Sequence, residues 1–154
     1  YNMGDKHDYK QDDFNNWNEL RAQLIRDFRN DIILPIYMYD HSGITVSTTP
    51  FGCRWDSGQV GFIIVDRKML LACRGVKKIT KKERELLFEV LKDEVKEYDW
   101  YITGDAYGYC IEDQDGEEIE SCWGYLGDPN HALDEARSVV NYIVKMEEHE
   151  SNKP

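Results

Sequence analysis

Hydrophobic positions along the chain change period several times, and each change marks an element. Residues 1–12 are polar, without a period, and read as a loose lead-in. From Asp13 onward Phe14, Trp17, Leu20, Leu24 and Phe28 recur every three or four residues. That spacing lines one helix face and predicts a helix ending near Asn30. The run Ile32–Tyr39 is strand-sized, and Pro35 points to an edge or a strand start. Asp40-His41-Ser42-Gly43 has turn chemistry, and the alternating, β-branched Ile44–Thr48 completes a hairpin. Residues 49–59 form a loop punctuated by Gly and Pro, with Phe51 and Trp55 expected to fold it onto the sheet. Val60–Val65 is a third apolar strand. Asp66 can cap a short helix through Cys73, which Gly75 stops.

Thr80-Lys81-Lys82-Glu83 is a capping box, in which threonine and glutamate each satisfy an otherwise unpaired amide at a helix start. Leu86, Leu87, Val90, Leu91, Val95 and Tyr98 form the apolar stripe of the helix behind it, expected from about Lys81 to about Tyr101. Ala106–Asp113 and Glu117–Tyr125 alternate as strands around Gln114-Asp115-Gly116, a three-residue loop with glycine in the left-handed position. This loop pairs Asp113 with Glu117 and Glu112 with Glu118. It also puts Tyr107, Tyr109 and Ile111 on one face with Ile119, Ser121 and Trp123. A final helix is expected from about His131 to about His149, with Leu133, Ala136, Val140, Ile143 and Val144 inward. Hairpins in place of βαβ crossovers predict an α+β fold: an antiparallel sheet built from hairpins, with three to four helices packed on it. The whole forms one domain over 1–154, loosely ordered at 1–12 and 150–154.

Composition narrows the classes. The chain has 154 residues, enough for one domain with a core. With 41% hydrophobic and 32% charged residues it is neither low-complexity nor wholly disordered. Its net charge of −11 repels nucleic acid and anionic membranes on average and favours basic surfaces. No apolar run reaches membrane-helix length and no secretory leader is evident, so no membrane partner is expected. The first residue is Tyr1 and the first methionine Met3, which points to a missing natural start. Cys53, Cys73, Cys110 and Cys122 form no C-x-x-C pair and read as reduced, mostly small apolar residues. His7, His41, His131 and His149 lack zinc-ligand spacing, so neither a metal nor another cofactor is expected.

Charge is segregated. Between Tyr98 and Asp128 lie Asp99, Asp105, Glu112, Asp113, Asp115, Glu117, Glu118, Glu120 and Asp128, with no Lys, Arg or His among them. Glu112 opposite Glu118, with Glu120 next along the solvent face, sets like charges across a strand pair, which costs stability. Such a face is either a solvated surface or a site for an Arg/Lys-rich groove. Trp123 and Tyr125 would add apolar contact to it. The opposite sign clusters in Arg67, Lys68, Arg74, Lys77, Lys78, Lys81, Lys82 and Arg84, against the single Glu83. This segment is a possible nucleic-acid contact, or it balances charge elsewhere in the protein. His41, Cys53 and Asp56 supply the ingredients of a small hydrolase, but no nucleophile elbow or phosphate loop accompanies them.

Tyr39-Asp40-His41-Ser42-Gly43-Ile44, Ser47-Thr48-Thr49-Pro50-Phe51 and Trp55-Asp56-Ser57-Gly58-Gln59-Val60-Gly61-Phe62-Ile63 carry a family resemblance. So do Tyr1-Asn2-Met3-Gly4-Asp5-Lys6-His7, Asp105-Ala106-Tyr107-Gly108 and Ser121-Cys122-Trp123-Gly124. Together they resemble a group of small proteins encoded by phages and conjugative elements of Firmicutes and gut bacteria. A branch of that group is similar to a type II-A anti-CRISPR family, which inhibits the Cas9 nuclease. Members carry a further segment ahead of the tyrosine aligned with Tyr1, and the helix around Leu20–Phe28 matches the group least. The resemblance implies a non-enzymatic inhibitor in the bacterial host cytoplasm. It would bind Cas9 with its guide RNA, in the basic DNA-binding groove, with no small-molecule substrate. The other readings are a mobile-element protein acting on another DNA-handling defence enzyme, or one that binds nucleic acid through residues 67–84.

Overall fold

The computed structural model describes residues 4–75 and 78–151. It is an α+β fold whose strands divide between two antiparallel sheets. After a 3-10 turn at Gln11–Asp13 come α1 (Trp17–Phe28), β1 (Ile33–Asp40), β2 (Ile44–Ser47), β3 (Ser57–Ile64) and α2 (Arg67–Arg74). Then follow α3 (Lys81–Thr103), β4 (Ala106–Glu112), β5 (Glu118–Leu126) and α4 (Pro129–Ser151). The first helix starts four residues later than its apolar spacing predicts. Asn16 accepts from the amides of Asn18 and Glu19 there, a stronger start signal than the periodicity upstream.

The first sheet has the order β2-β1-β3. Tyr37–Asp40 pair with 44–47, and Ile33–Tyr39 pair with 57–64 across a bulge at Ile36/Tyr37. β1 is therefore the central strand, but β2 reaches only its second half. Pro35 lies in the half flanked on one side alone, where a missing N–H is tolerated. Ile32, Leu87 and Leu91 form the core, with Leu34, Ile63, Val65, Leu70, Ile79 and Phe88 packed around them. Buried Asn30 seals its end: it donates to the Val65 carbonyl at 2.9 Å and accepts from the Ile32 amide at 3.1 Å.

The capping box forms as the sequence predicts, with Thr80 accepting from the Glu83 amide and Glu83 from the Thr80 amide. Gly104 closes α3 two residues beyond the expected end. The buried stripe on α3 is narrower than predicted. Leu87, Leu91 and Val95 are buried, while Leu86, Val90 and Tyr98 are exposed. The sheet beneath is three strands wide and β2 has four residues, so it covers only the i, i+4, i+8 row.

The second sheet is the β4–β5 hairpin, and α4 packs on it. Two strands cover little of a long helix. Ala132 is buried, and Ala136 and Ile143, predicted inward, are half-buried, whereas Leu133, Val140 and Val144 are exposed against the inward placement predicted for them. The base of the hairpin is tied to α3: the Asp105 amide donates to the Trp100 carbonyl and the Gly127 amide to the Asp105 carbonyl, each at 2.8 Å.

Candidate functional site

The hairpin tip has the predicted loop. The Asp113 amide donates to the Glu117 carbonyl at 3.0 Å, and Gly116 has φ +82°, which a side chain would oppose. Asp113 Oδ1 accepts from the amides of Asp115 at 2.8 Å and Glu117 at 2.9 Å. Glu112 stands directly opposite Glu118, as the loop length predicts.

Beyond that pair the register departs from expectation. A bulge at Ile111/Glu112 leaves Ile119 over and sets Ile111 opposite Glu120, and a second at Tyr107/Gly108 leaves out Gly124, at φ +102°. A one-residue slip reverses the faces. Tyr109 now faces Cys122 in place of Ser121, and Trp123 lies opposite Gly108. The register moves Glu120 to the Tyr109–Ile111 face and Trp123 to the face of Glu112 and Glu118. The Trp123 indole lies so close over Gly108 that an added Cβ would fall 2.4 Å from the ring. Its other surface is open, and the residue is 74% exposed. Tyr125 is instead half-buried, its ring 6.0 Å from that of Tyr109. A hydrogen bond to Cys122 and then burial push its hydroxyl well above the usual tyrosine range. It is a packing residue, with little surface to offer a partner.

The acidic residues of this region separate by role. Asp99 accepts from the Thr45 hydroxyl at 2.6 Å and the Val46 amide at 2.7 Å, joining α3 to β2. Asp128 caps α4 through the Asn130 amide at 2.9 Å, and that bond holds its carboxyl below the usual range. Asp105 accepts from Thr103 at the hairpin base, and Asp113 shapes the turn. Glu118 accepts from Ser121 Oγ at 2.7 Å and faces the Cys110 thiol, which partial desolvation and then this carboxylate push up. Glu112, Asp115, Glu117 and Glu120 are exposed. Among the described residues, no ion pair involves any carboxylate between 105 and 120.

The basic segment is partly spent within the molecule. Arg84 bonds Asp31, holding that carboxyl below its usual range, and lies 5.3 Å over the Phe88 ring. Lys81 is 3.9 Å from Glu85. Lys68, Lys78 and Lys82 are exposed and Arg67 is half-buried. The Arg74 side chain and Lys77 lie outside the described residues, as does the Cys73 side chain. Cys110 and Cys122 are exposed, contrary to a small apolar role, because the hairpin is too thin to bury them.

His41, Cys53 and Asp56 do meet. The Cys53 thiol donates to Asp56 Oδ2 at 3.5 Å, and His41 Nδ1 is 3.4 Å from the same oxygen. The carboxylate thus stands between thiol and imidazole, whereas a cysteine nucleophile needs the imidazole against its sulfur. The cluster braces a loop: the Asp40 amide donates to the Asp56 carbonyl at 2.8 Å. Phe51 packs near Tyr39 as expected, with ring centres 5.8 Å apart. Trp55 does not fold onto the sheet; it is 95% exposed. Its position beside Arg54 in a loop was readable, but its exposure goes with the bonds that Asp56 makes to Cys53, to His41 and to the amide at the end of β1, which the sequence leaves open.

No protein-family model matches this chain, and neither does any of the curated proteins or solved structures compared with it. Among the described residues, no helix is long and apolar enough to cross a membrane.

Proposed function

We propose that the chain is a non-enzymatic inhibitor from a mobile element that binds a Cas9–guide RNA complex in the host cytoplasm. The hairpin would enter the basic groove that holds DNA phosphates and block target engagement or cleavage. One observation carries this reading: Glu112 directly opposite Glu118 on a face shared with exposed Trp123, with no cation paired to it among the described residues. Like charges across a strand pair lower stability, so folding alone would not select the pair. Spaced carboxylates suit guanidinium and ammonium groups that otherwise hold phosphates. The flat, fixed indole adds a face to which such a cation is attracted. The family resemblance supplies the identity of the partner.

The test mixes the protein with a Cas9–guide RNA complex and measures co-elution and cleavage of target DNA. Binding with lost cleavage is expected, weakening as salt rises. Charge reversal at Glu112, Glu117, Glu118 and Glu120 together is expected to abolish inhibition. Retained inhibition in that variant overturns the hairpin surface even if the partner is right. Bare DNA and RNA are expected not to shift in a gel; a shift lost on reversing Lys68, Lys78 and Lys82 would move the site to the basic segment.

A further inference from the structure

Trp55 is the most exposed large apolar side chain among the described residues, and its loop is tied on both sides of it, at Cys53, Asp56 and Ser57. Ser57 Oγ donates to the Cys53 carbonyl, the Cys53 thiol to Asp56, and the Asp40 amide to the Asp56 carbonyl. Asp56 in turn faces His41, whose ring stacks 6.0 Å from that of Tyr39. The indole is thus presented to solvent by a loop that its own hydrogen bonds hold to the end of β1. Arg54 beside it is exposed too, and makes no hydrogen bond or ion pair among the described residues. Tryptophan and arginine are the side chains that most often carry binding energy at the centre of protein interfaces, and a rigid loop loses little entropy when it docks.

We infer that Trp55 is a second docking point, separate from the acidic hairpin, which enters an apolar pocket with a carboxylate at its rim for Arg54. This rests on the reading above and assigns the pocket to the protein component of that partner. A nucleobase is the other surface an indole can stack on, but the charges fit it poorly. Around Trp55 lie Asp40, Asp56, Arg54 and His41, with no set of cations to hold a phosphate backbone. The exposed lysines of the basic segment follow the far end of β3, whose eight residues span roughly 26 Å.

The experiment measures affinity for a Cas9–guide RNA complex at several salt concentrations, for the wild type, Trp55→Ala, Trp55→Phe, Arg54→Ala and the quadruple charge reversal. Trp55→Ala is expected to bind at least about ten-fold more weakly with an unchanged salt dependence, since it removes a buried contact and no charge. Trp55→Phe is expected to recover part of that loss, and Arg54→Ala to lose less than Trp55→Ala. Circular dichroism and thermal midpoints check that the variants fold; both aromatic variants act at an exposed site. Equal affinity for Trp55→Ala and wild type overturns this inference and leaves the acidic hairpin standing. Absence of binding by the wild type overturns both. A loss of binding to bare guide RNA in Trp55→Ala makes the indole a base-stacking platform and overturns the protein pocket.

Discussion

The three-stranded sheet with α3 and the β4–β5 hairpin with α4 treat their apolar residues in opposite ways. Among the described residues, all the buried hydrophobic ones except Ala132 lie in the part that ends with α3. In the hairpin unit β5 is mostly exposed, and large apolar side chains such as Ile119, Trp123 and Tyr142 face water. A two-stranded sheet is marginal by itself. This one is supported by α4 on one face and by the Trp100–Asp105–Gly127 ties at its base. Stability and charge are thus kept in different places. The hairpin can concentrate carboxylates because the core does not depend on it.

The comparison breaks first in the core if it is wrong. Leu91→Ala removes a buried side chain beside Ile32 and Leu87 and is expected to cost about 2–5 kcal/mol. Ile119→Ala, on the exposed hairpin, is expected to change stability by no more than about 0.5 kcal/mol. Urea unfolding monitored by circular dichroism measures both, and equal losses would show that the hairpin shares the core. A second contrast stays within the acidic segment. Asp99→Ala leaves the Val46 amide and the Thr45 hydroxyl without their acceptor and should cost about 1–3 kcal/mol. Asp115→Ala should fall within about 0.5 kcal/mol of wild type. The same unfolding curves decide whether carboxylates that bond within the fold and solvated ones stand side by side in this segment.

Local chemistry made much of the fold legible. Thr80 and Glu83 announce the start of α3 because both partners of the box lie within four residues. Thr80→Ala is expected to cost about 1 kcal/mol, read as a lower thermal midpoint. The hairpin loop and the Glu112–Glu118 pair were legible for the same reason: three residues with glycine last fix the closest pairs. Legibility ended where partners are remote. Nothing near Ile119 announces the first bulge, although Gly124 marks the second. The faces of Glu120 and Trp123 reversed with that single residue. The exposure of Leu86, Val90 and half of α4 was hidden too, because periodicity reports an apolar face and not how much sheet is there to cover it. The separate roles of Asp99 and Asp128, and the meeting of His41, Cys53 and Asp56, depend on contacts between elements that no spacing along the chain encodes.

The smallest effect sharpens the comparison most, because its two readouts have opposite signs. Glu118 is a poor choice for it, since its carboxylate also accepts from Ser121. The Glu112 side chain makes no hydrogen bond or ion pair among the described residues, so Glu112→Lys changes chiefly the cross-strand interaction with Glu118. Replacing a like-charge pair by an opposite-charge pair at directly opposed positions is expected to stabilise the hairpin by about 0.2–1 kcal/mol. If the carboxylates exist to meet a basic groove, the same substitution weakens binding to the Cas9–guide RNA complex. A variant that is slightly more stable and a poorer inhibitor places the selection on binding. One that is more stable and equally inhibitory makes the acidic face a solvated surface. One that is less stable means the pair was not repulsive in its setting, and the separation of charge from stability fails at the one position where the register states it most directly.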